Sequence, residues 1–153
     1  MEADLRLLPP DAAAERILVL LEETEPVPLV ISGTSMMPFL AHHRDTVYLS
    51  RIRENPGVGD MVLYRRDNGR YILHRILAVH GDAFDMLGDR QVHPEPGIRR
   101  DQLLAVVTAV RRKGTVLKPG HPVWDFFRGP WRWLRPLRPW LLKLFFRDGV
   151  TND

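Results

Sequence analysis

The chain has 153 residues, of which 44% are hydrophobic and 27% charged, and its formal net charge is only +3. This length fits one domain that buries most of its own surface, and the small charge does not favour a nucleic-acid partner, so we predict none. The chain contains no cysteine, which excludes disulfides, thiolate nucleophiles and cysteine-ligated zinc. Met1–Asp4 do not resemble an export signal, and no apolar run approaches the roughly 20 residues of a spanning helix. We therefore predict a cytoplasmic protein.

The first part of the chain is predicted to form a helix followed by short strands. Pro10 and Asp11 begin an amphipathic helix that is expected to run to Glu23. Pro26 and Pro28 then prevent its continuation. Alternation of apolar and polar residues, or short apolar runs, predicts the next β-segments at 29–31, 45–51 and 61–64.

A hairpin is predicted in the middle of the chain. Asp67-Asn68-Gly69 is a strong turn signal between the strand at 61–64 and a second strand at 71–77. Residues 92–97 carry two prolines and are predicted to form a loop, and further strands are expected at 83–87, 103–111 and 115–117. The fold class is therefore mainly β, an antiparallel domain with a short N-terminal helix over residues 1–118.

Residues 119–153 differ in composition and are predicted to be a separate aromatic and basic segment. Tryptophans and regularly spaced arginines are typical of elements that lie at a membrane surface. We therefore predict peripheral membrane contact through Trp131, Trp133, Trp140, Arg132, Arg135 and Arg138. The alternative is that short helical turns dock these aromatic side chains onto the β-domain, since Pro136 and Pro139 interrupt any long helix.

The segment Ser32–Pro38 is predicted to present a hydroxyl nucleophile. It is a turn of small residues, and Gly33 allows another backbone to approach closely. The backbone N–H of Ser35 lies at this turn and could bind an oxyanion. Gly33 is predicted to belong to the same oxyanion turn. The residue types alone do not choose among the hydroxyls of Ser32, Thr34 and Ser35.

His74 is the best candidate for the general base. It lies between Ile72 and Ile76 on one face of a predicted buried strand, and an imidazole has an ordinary pKa near neutrality. An activated hydroxyl needs such a base within hydrogen-bond distance. We predict no metal site, because the other histidines are scattered along the chain. They are His42, His43, His80, His93 and His121.

Several short motifs resemble the conserved boxes of type I signal peptidases, a clan of serine peptidases that also includes self-cleaving SOS repressors. Gly33-x-Ser35-Met36-x-Pro38 resembles the nucleophile box, and Gly59-Asp60-Met61-Val62 the box before the base. His74-Arg75 is similar to the histidine forms of archaea and the endoplasmic reticulum. Leu87-Gly88-Asp89 resembles the Gly-Asp box, and Glu95 stands where those forms carry a further acid. The resemblance covers residues 29–112 and is closest to short bacterial forms.

The resemblance implies a serine endopeptidase that needs no cofactor. Ser35 would attack the scissile carbonyl, His74 would accept its proton, and Asp89 or Glu95 would orient the imidazole. The substrate would be an extended peptide with small side chains next to the cut, such as a leader or signal peptide.

Two other functions are compatible with the motifs. A self-cleaving repressor would need a lysine base and a DNA-binding domain, and neither is evident in the sequence. A non-catalytic peptide- or membrane-binding module on the same fold is the alternative that stays open.

Overall fold

One antiparallel sheet forms the frame of the protein. The computed structural model describes residues 10–145, so Met1–Asp4 and the end of the predicted C-terminal segment lie outside the described residues. The described part contains eight strands: β1 (Val27–Val30), β2 (Thr46–Ser50), β3 (Met61–Arg65), β4 (Tyr71–His80), β5 (Ala83–Leu87), β6 (Glu95–Arg99), β7 (Leu103–Arg112) and β8 (Thr115–Leu117). Their order in the sheet is β1-β2-β7-β3-β4-β5-β6, and β8 pairs with β7.

Every strand pair of the sheet is antiparallel, which confirms the predicted fold class. The predicted hairpin is also present: Gly69 has φ +89°, and the Arg66 N–H donates to the Arg70 carbonyl at 2.8 Å. Only glycine adopts such a positive φ without strain, which explains the strength of the turn signal.

The prediction of a loop at 92–97 is wrong for its second half, because β6 begins at Glu95. β6 pairs with β5 alone in the described sheet and is therefore an edge strand. An edge strand tolerates Pro96, since the missing N–H removes no hydrogen bond from an inner ladder. The segment's proline content thus marks an edge and not a loop.

The helices lie at the two ends of the described chain. Helix α1 (Pro10–Leu20) confirms the predicted N-terminal helix, although it ends before Glu23. The C-terminal helices are α2 (Pro122–Arg128), α3 (Pro130–Trp133) and α4 (Arg138–Phe145), and short 3₁₀ turns lie at 100–102 and 135–137. Proline opens α2 and α3, where its missing N–H has no intrahelical partner to lose. None of the described helices is both long and apolar enough to cross a bilayer.

The sheet separates two hydrophobic clusters. On β3, Met61 and Leu63 join the larger cluster, whereas Val62 and Tyr64 join the smaller one on the opposite face. This division follows from the alternation of side chains along a strand. The larger cluster also contains residues of α1 and of the C-terminal helices.

The C-terminal helices dock onto the β-domain through their aromatic side chains. Phe39 of the turn after β1 stacks on Phe127 with ring centroids 4.9 Å apart, and Trp131 is only 2% exposed. Arg138 is buried as well, and its guanidinium donates to the backbone carbonyl of Gln91 at 2.8 Å. Trp131 and Arg138 therefore cannot contact a membrane, which corrects the prediction for these two residues. Packing against the sheet outweighs exposure because it buries a large aromatic surface.

We expect Trp131→Ala to lower the free energy of unfolding by about 3–5 kcal/mol, since it leaves a cavity in the core. Trp133→Ala is the matched control, because Trp133 is 75% exposed, and a change of less than about 0.5 kcal/mol is expected there. Urea unfolding of both variants measures the difference. Equal stabilities would contradict the docking of the C-terminal helices.

Candidate active site

The turn that carries Ser35 is held from below by its own apolar side chains. Met36, Phe39 and Leu40 are buried in the larger cluster, and the Leu40 N–H donates to the Met36 carbonyl at 2.9 Å. Gly33 has φ +90°, and its N–H donates to His42 Nδ1 at 2.7 Å. The turn is therefore well anchored, while the Ser35 side chain stays half-buried at its surface.

The structure brings Ser35 and His74 together across the fold. Ser35 Oγ lies 3.2 Å from His74 Nε2, although the two residues are 39 positions apart. His74 is 4% exposed and lies in the middle of β4. Within the described residues, neither Ser32 nor Thr34 has a hydrogen bond to this ring. The geometry thus selects Ser35 from the three hydroxyls that the sequence left open.

A second hydrogen bond holds the far side of the imidazole. His74 Nδ1 lies 3.3 Å from the Tyr64 hydroxyl, and that hydroxyl donates to Glu95 Oε1 at 2.5 Å. Because the hydroxyl hydrogen is used toward Glu95, we infer that Nδ1 carries the ring hydrogen and donates it to the Tyr64 oxygen. Nε2 is then free to accept the proton of Ser35.

Glu95 is held in place by Arg66. The Arg66 Nε donates to both carboxylate oxygens of Glu95, at 3.2 and 2.9 Å. A chain of polar contacts therefore runs from Ser35 through His74 and Tyr64 to this ion pair. Glu95, one of the two acids predicted to orient the imidazole, is therefore linked to the ring only through the Tyr64 hydroxyl.

The surroundings keep His74 neutral and Tyr64 protonated. Burial and, to a smaller extent, the nearby positive charge of Arg66 lower the pKa of His74 to about 4, although Glu95 opposes the shift. Burial and the hydrogen bond to Glu95 raise the pKa of Tyr64 above its ordinary value. At neutral pH the imidazole is consequently a free base, which is the state that accepts a proton.

The register of the hairpin explains why these side chains meet. Val62 pairs with His74 and Tyr64 with Ile72, so Tyr64 and His74 are diagonal neighbours on one face of the sheet. Tyr64 and Arg66 were not predicted, because their position beside His74 depends on the register that the Asp67-Asn68-Gly69 turn sets along the two strands. The turn sequence was the feature from which this register, and so the neighbours of His74, could have been derived.

Asp89 occupies a different place from the one that an orienting acid needs. Its carboxylate is fully buried and accepts two hydrogen bonds from Arg75, at 2.8 and 2.9 Å. Arg75 follows His74 directly on β4, so its side chain points to the opposite face of the sheet. The alternative that Asp89 orients the imidazole is therefore not supported by the geometry, and Asp89 instead fixes the loop that follows β5.

This loop packs directly against the Ser35 turn. The Arg90 N–H donates to the Ser35 carbonyl at 2.9 Å, and a Cβ placed on Gly88 would come within 2.5 Å of that carbonyl oxygen. Such a distance requires glycine or a shift of the backbone. The predicted boxes around Ser35, His74 and Gly88-Asp89 are thus brought into one site.

The backbone at Ser35 has one N–H that could bind an oxyanion. Within the described residues, the Ser35 N–H has no hydrogen-bond acceptor. The N–H of Gly33, the other predicted turn residue, is already used by His42. Of these two N–H groups, only that of Ser35 is available to an oxyanion, while Gly33 shapes the turn. No group of three or more metal-ligating side chains converges in the part of the chain that is described.

Comparisons of this chain with protein-family models, with curated proteins and with solved structures found no match. The chemistry of the site therefore has to be inferred from its own geometry. That geometry comprises the Ser35 hydroxyl, a neutral buried imidazole within hydrogen-bond distance of it, and the Tyr64 hydroxyl as hydrogen-bond acceptor for the other ring nitrogen.

We expect Tyr64→Phe to slow any reaction at Ser35 by about tenfold to a hundredfold, a part of what general base catalysis contributes. The variant leaves the Nδ1 hydrogen of His74 without its acceptor, so the ring loses its orientation. Single-turnover labelling of Ser35 by a serine-directed probe measures this rate without knowledge of the substrate.

Asp89→Asn is the matched control for this experiment. It weakens a buried ion pair and should lower the free energy of unfolding by about 3 kcal/mol, with a much smaller effect on the labelling rate of the folded protein. If Tyr64→Phe reacted at the parental rate, the orienting role of Tyr64 would be wrong.

We also expect the stability of the protein to depend on the protonation of His74. Its pKa is about 4 in the folded chain and about 6.5 when unfolded, so the unfolded chain binds more protons below pH 6.5. The stabilisation is complete above about pH 6.5, and about 3 kcal/mol is lost as the pH falls to about 4. Urea unfolding between pH 4 and 7.5 measures it. His74→Gln should lose this part of the pH dependence, and parallel curves for the two proteins would contradict the neutral buried imidazole.

Proposed function

We propose that the protein is a serine endopeptidase with Ser35 as nucleophile and His74 as general base. The observation that carries this proposal is the contact of 3.2 Å between Ser35 Oγ and the Nε2 of a buried imidazole whose pKa is lowered to about 4. A binding module would gain nothing from burying a neutral base against a hydroxyl, because burial of a polar ring has a free-energy cost. The motifs that resemble signal peptidases of the histidine type support the same reading.

The reaction would proceed through an acyl-enzyme. Ser35 Oγ attacks the scissile carbonyl carbon while its proton moves to His74 Nε2, and the N–H of Ser35 donates to the developing oxyanion. The intermediate then collapses as His74 gives the proton to the leaving amine. Water hydrolyses the ester in a second round with the same base.

Tyr64 and Glu95 assist during the charged steps. When His74 becomes an imidazolium, its Nδ1 hydrogen still donates to the Tyr64 oxygen, whose own hydrogen points at the carboxylate of Glu95. The carboxylate thus offsets part of the positive charge through one intervening hydroxyl. This arrangement stabilises the imidazolium without placing a carboxylate in contact with it.

The substrate would be an extended peptide that adds to the edge of the sheet at β1. The Ile31 N–H donates to the Asp45 carbonyl at 2.9 Å. In an antiparallel ladder, the N–H and C=O of the preceding residue, Val30, then point away from β2. Val30 lies five positions before Ser35, so a peptide paired with it would run toward the nucleophile. Small side chains next to the cut, as in leader or signal peptides, are what the resemblance implies.

The chain contains no cysteine, which suits a reducing compartment. We therefore propose that the peptidase acts in the cytoplasm.

We expect Ser35→Ala to reduce peptide cleavage by about a thousandfold or more, since it removes the nucleophile. A peptide library incubated with the protein and analysed by mass spectrometry first identifies a cleaved sequence. The rate on that peptide is then compared for the parent and the variants. Ser32→Ala and Thr34→Ala are the matched controls in the same turn and should keep activity within about threefold.

Two results would overturn the proposal. One is cleavage by Ser35→Ala at the parental rate, which would show that another group or a contaminant acts. The other is the absence of any cleaved library peptide and of any probe on Ser35, in a preparation whose unfolding is cooperative. That second result would favour the non-catalytic peptide-binding module.

A further inference from the structure

The C-terminal helices expose a stripe of large apolar side chains. Trp133 is the last residue of α3, Leu137 lies in the 3₁₀ turn at 135–137, and Trp140 and Leu144 are four residues apart on one face of α4. The two tryptophans are 75% and 62% exposed, and both leucines are more than half exposed. Isolated apolar residues are normal on a protein surface, but a stripe of this size indicates a contact surface. We call these four side chains the outer stripe.

The outer stripe lies on firmly docked helices. On their inner side, Trp131 and Leu142 belong to the larger hydrophobic cluster. Arg138 donates to the carbonyls of Gln91 and Trp131, at 2.8 and 3.1 Å. The exposure of the stripe is therefore a property of the fold, because the opposite side of the same segment is anchored in the core.

The surroundings of the outer stripe are positively charged. Residues 126–145 contain no acidic residue and five basic ones, of which all but the buried Arg138 are at least partly exposed. The Arg132 guanidinium lies 4.8 Å from the centroid of the Trp133 ring. Lys143 is exposed beside the stripe. A partner that covers this face therefore has to combine an apolar layer with negative charge.

We propose that the outer stripe binds the surface of an anionic lipid bilayer. The indole rings and leucines would lie at the level of the headgroups and upper acyl chains, and the cations would contact lipid phosphates. This surface differs from the one that the sequence predicted, because Trp131 and Arg138 are replaced in it by Leu137 and Leu144.

A second copy of the chain fits the outer stripe less well than a bilayer does. Two copies in contact would bring basic residues together with no acidic residue of the segment to compensate them. In addition, the 3₁₀ turn at 135–137 and the prolines at 136 and 139 interrupt the regular helix that knobs-into-holes packing needs. Charge and geometry therefore both favour lipid.

Bilayer binding would fix the orientation of the candidate active site. The Trp131 indole N–H donates to the Asp89 carbonyl at 2.7 Å, and the neighbouring Arg90 N–H donates to the Ser35 carbonyl. The docked helices are thus two contacts away from the nucleophile. A role in cleaving peptides at the membrane surface rests on the proposed function, whereas lipid binding itself does not.

Co-sedimentation with vesicles tests the proposal. The full chain is mixed with phosphatidylglycerol vesicles and with phosphatidylcholine vesicles at about 0.05 M and about 0.5 M salt. Salt screens the charges weakly at the lower concentration and strongly at the higher one. We expect binding to phosphatidylglycerol at low salt, at least about tenfold weaker binding to phosphatidylcholine, and a marked loss at high salt. Absence of binding to phosphatidylglycerol at low salt would overturn the proposal.

Paired variants show whether the outer stripe is responsible. Trp133→Ala combined with Trp140→Ala should reduce binding by about tenfold or more, and Lys143→Gln by up to about fivefold. The matched control is Val79→Ala with Val116→Ala, because both valines are 41% exposed and lie outside the stripe. Unfolding curves confirm that each variant is folded. Unchanged binding of the double tryptophan variant would assign the lipid contact elsewhere and contradict the proposal.

Two further measurements separate the alternatives. Analytical ultracentrifugation of the parent and of the double tryptophan variant detects a second copy on the stripe, and a dimer that the variant abolishes would overturn lipid as the occupant. Ser35→Ala should bind vesicles like the parent. A failure of the peptidase assay would therefore leave this result intact, and a failure of vesicle binding would leave the peptidase assay intact.

Discussion

The buried ion pair between Arg75 and Asp89 connects the sheet to the elements that hold the Ser35 turn. Arg75 donates to both carboxylate oxygens of Asp89 and to the carbonyl of Gly59, at 2.8 to 2.9 Å. Its guanidinium also lies 5.5 Å from the centroid of the Phe39 ring, below the Ser35 turn. Because a buried charge without its partner is strongly destabilising, either side chain fixes the place of the other. The residue before Arg75 is His74, so the same strand places the imidazole on one face and the supports of the Ser35 turn on the other.

In the proposed mechanism, the polar contacts behind His74 allow a buried imidazole to serve as the base. A carboxylate in direct contact would favour the protonated ring and raise its pKa, whereas here the Tyr64 hydroxyl stands between the ring and Glu95. Arg66 further reduces the influence of the carboxylate on the ring. The imidazole therefore stays neutral at the start of the reaction, and its second nitrogen is held by a neutral acceptor. The cost is a weaker base, which is partly offset because the proton of Ser35 is already aimed at Nε2.

Much of the fold could be predicted from local patterns, and the exceptions have physical reasons. The Asp67-Asn68-Gly69 hairpin and β5 were found because their signals are local. β6 was missed because Pro96 and Gly97 suggest a loop unless the strand is known to lie at an edge. Ser35 and His74 were found as residue types in motifs, but the choice among the hydroxyls needed the three-dimensional distance. Tyr64 was missed because a cross-strand neighbour depends on register.

The C-terminal segment shows most clearly what composition cannot decide. Aromatic and basic residues alternate along the segment, so composition alone does not tell which of them are buried. Trp131 packs against the β-domain, whereas Trp133 faces solvent. The sheet makes this distinction, because only one side of the segment can cover Phe39 and the loop after Asp89. The inner residues consequently support the fold and the candidate site together, and their substitution affects both. The outer residues are free of that constraint. Substitutions on the outer side should therefore leave Ser35 and His74 undisturbed. The contribution of each side of the segment can thus be measured separately.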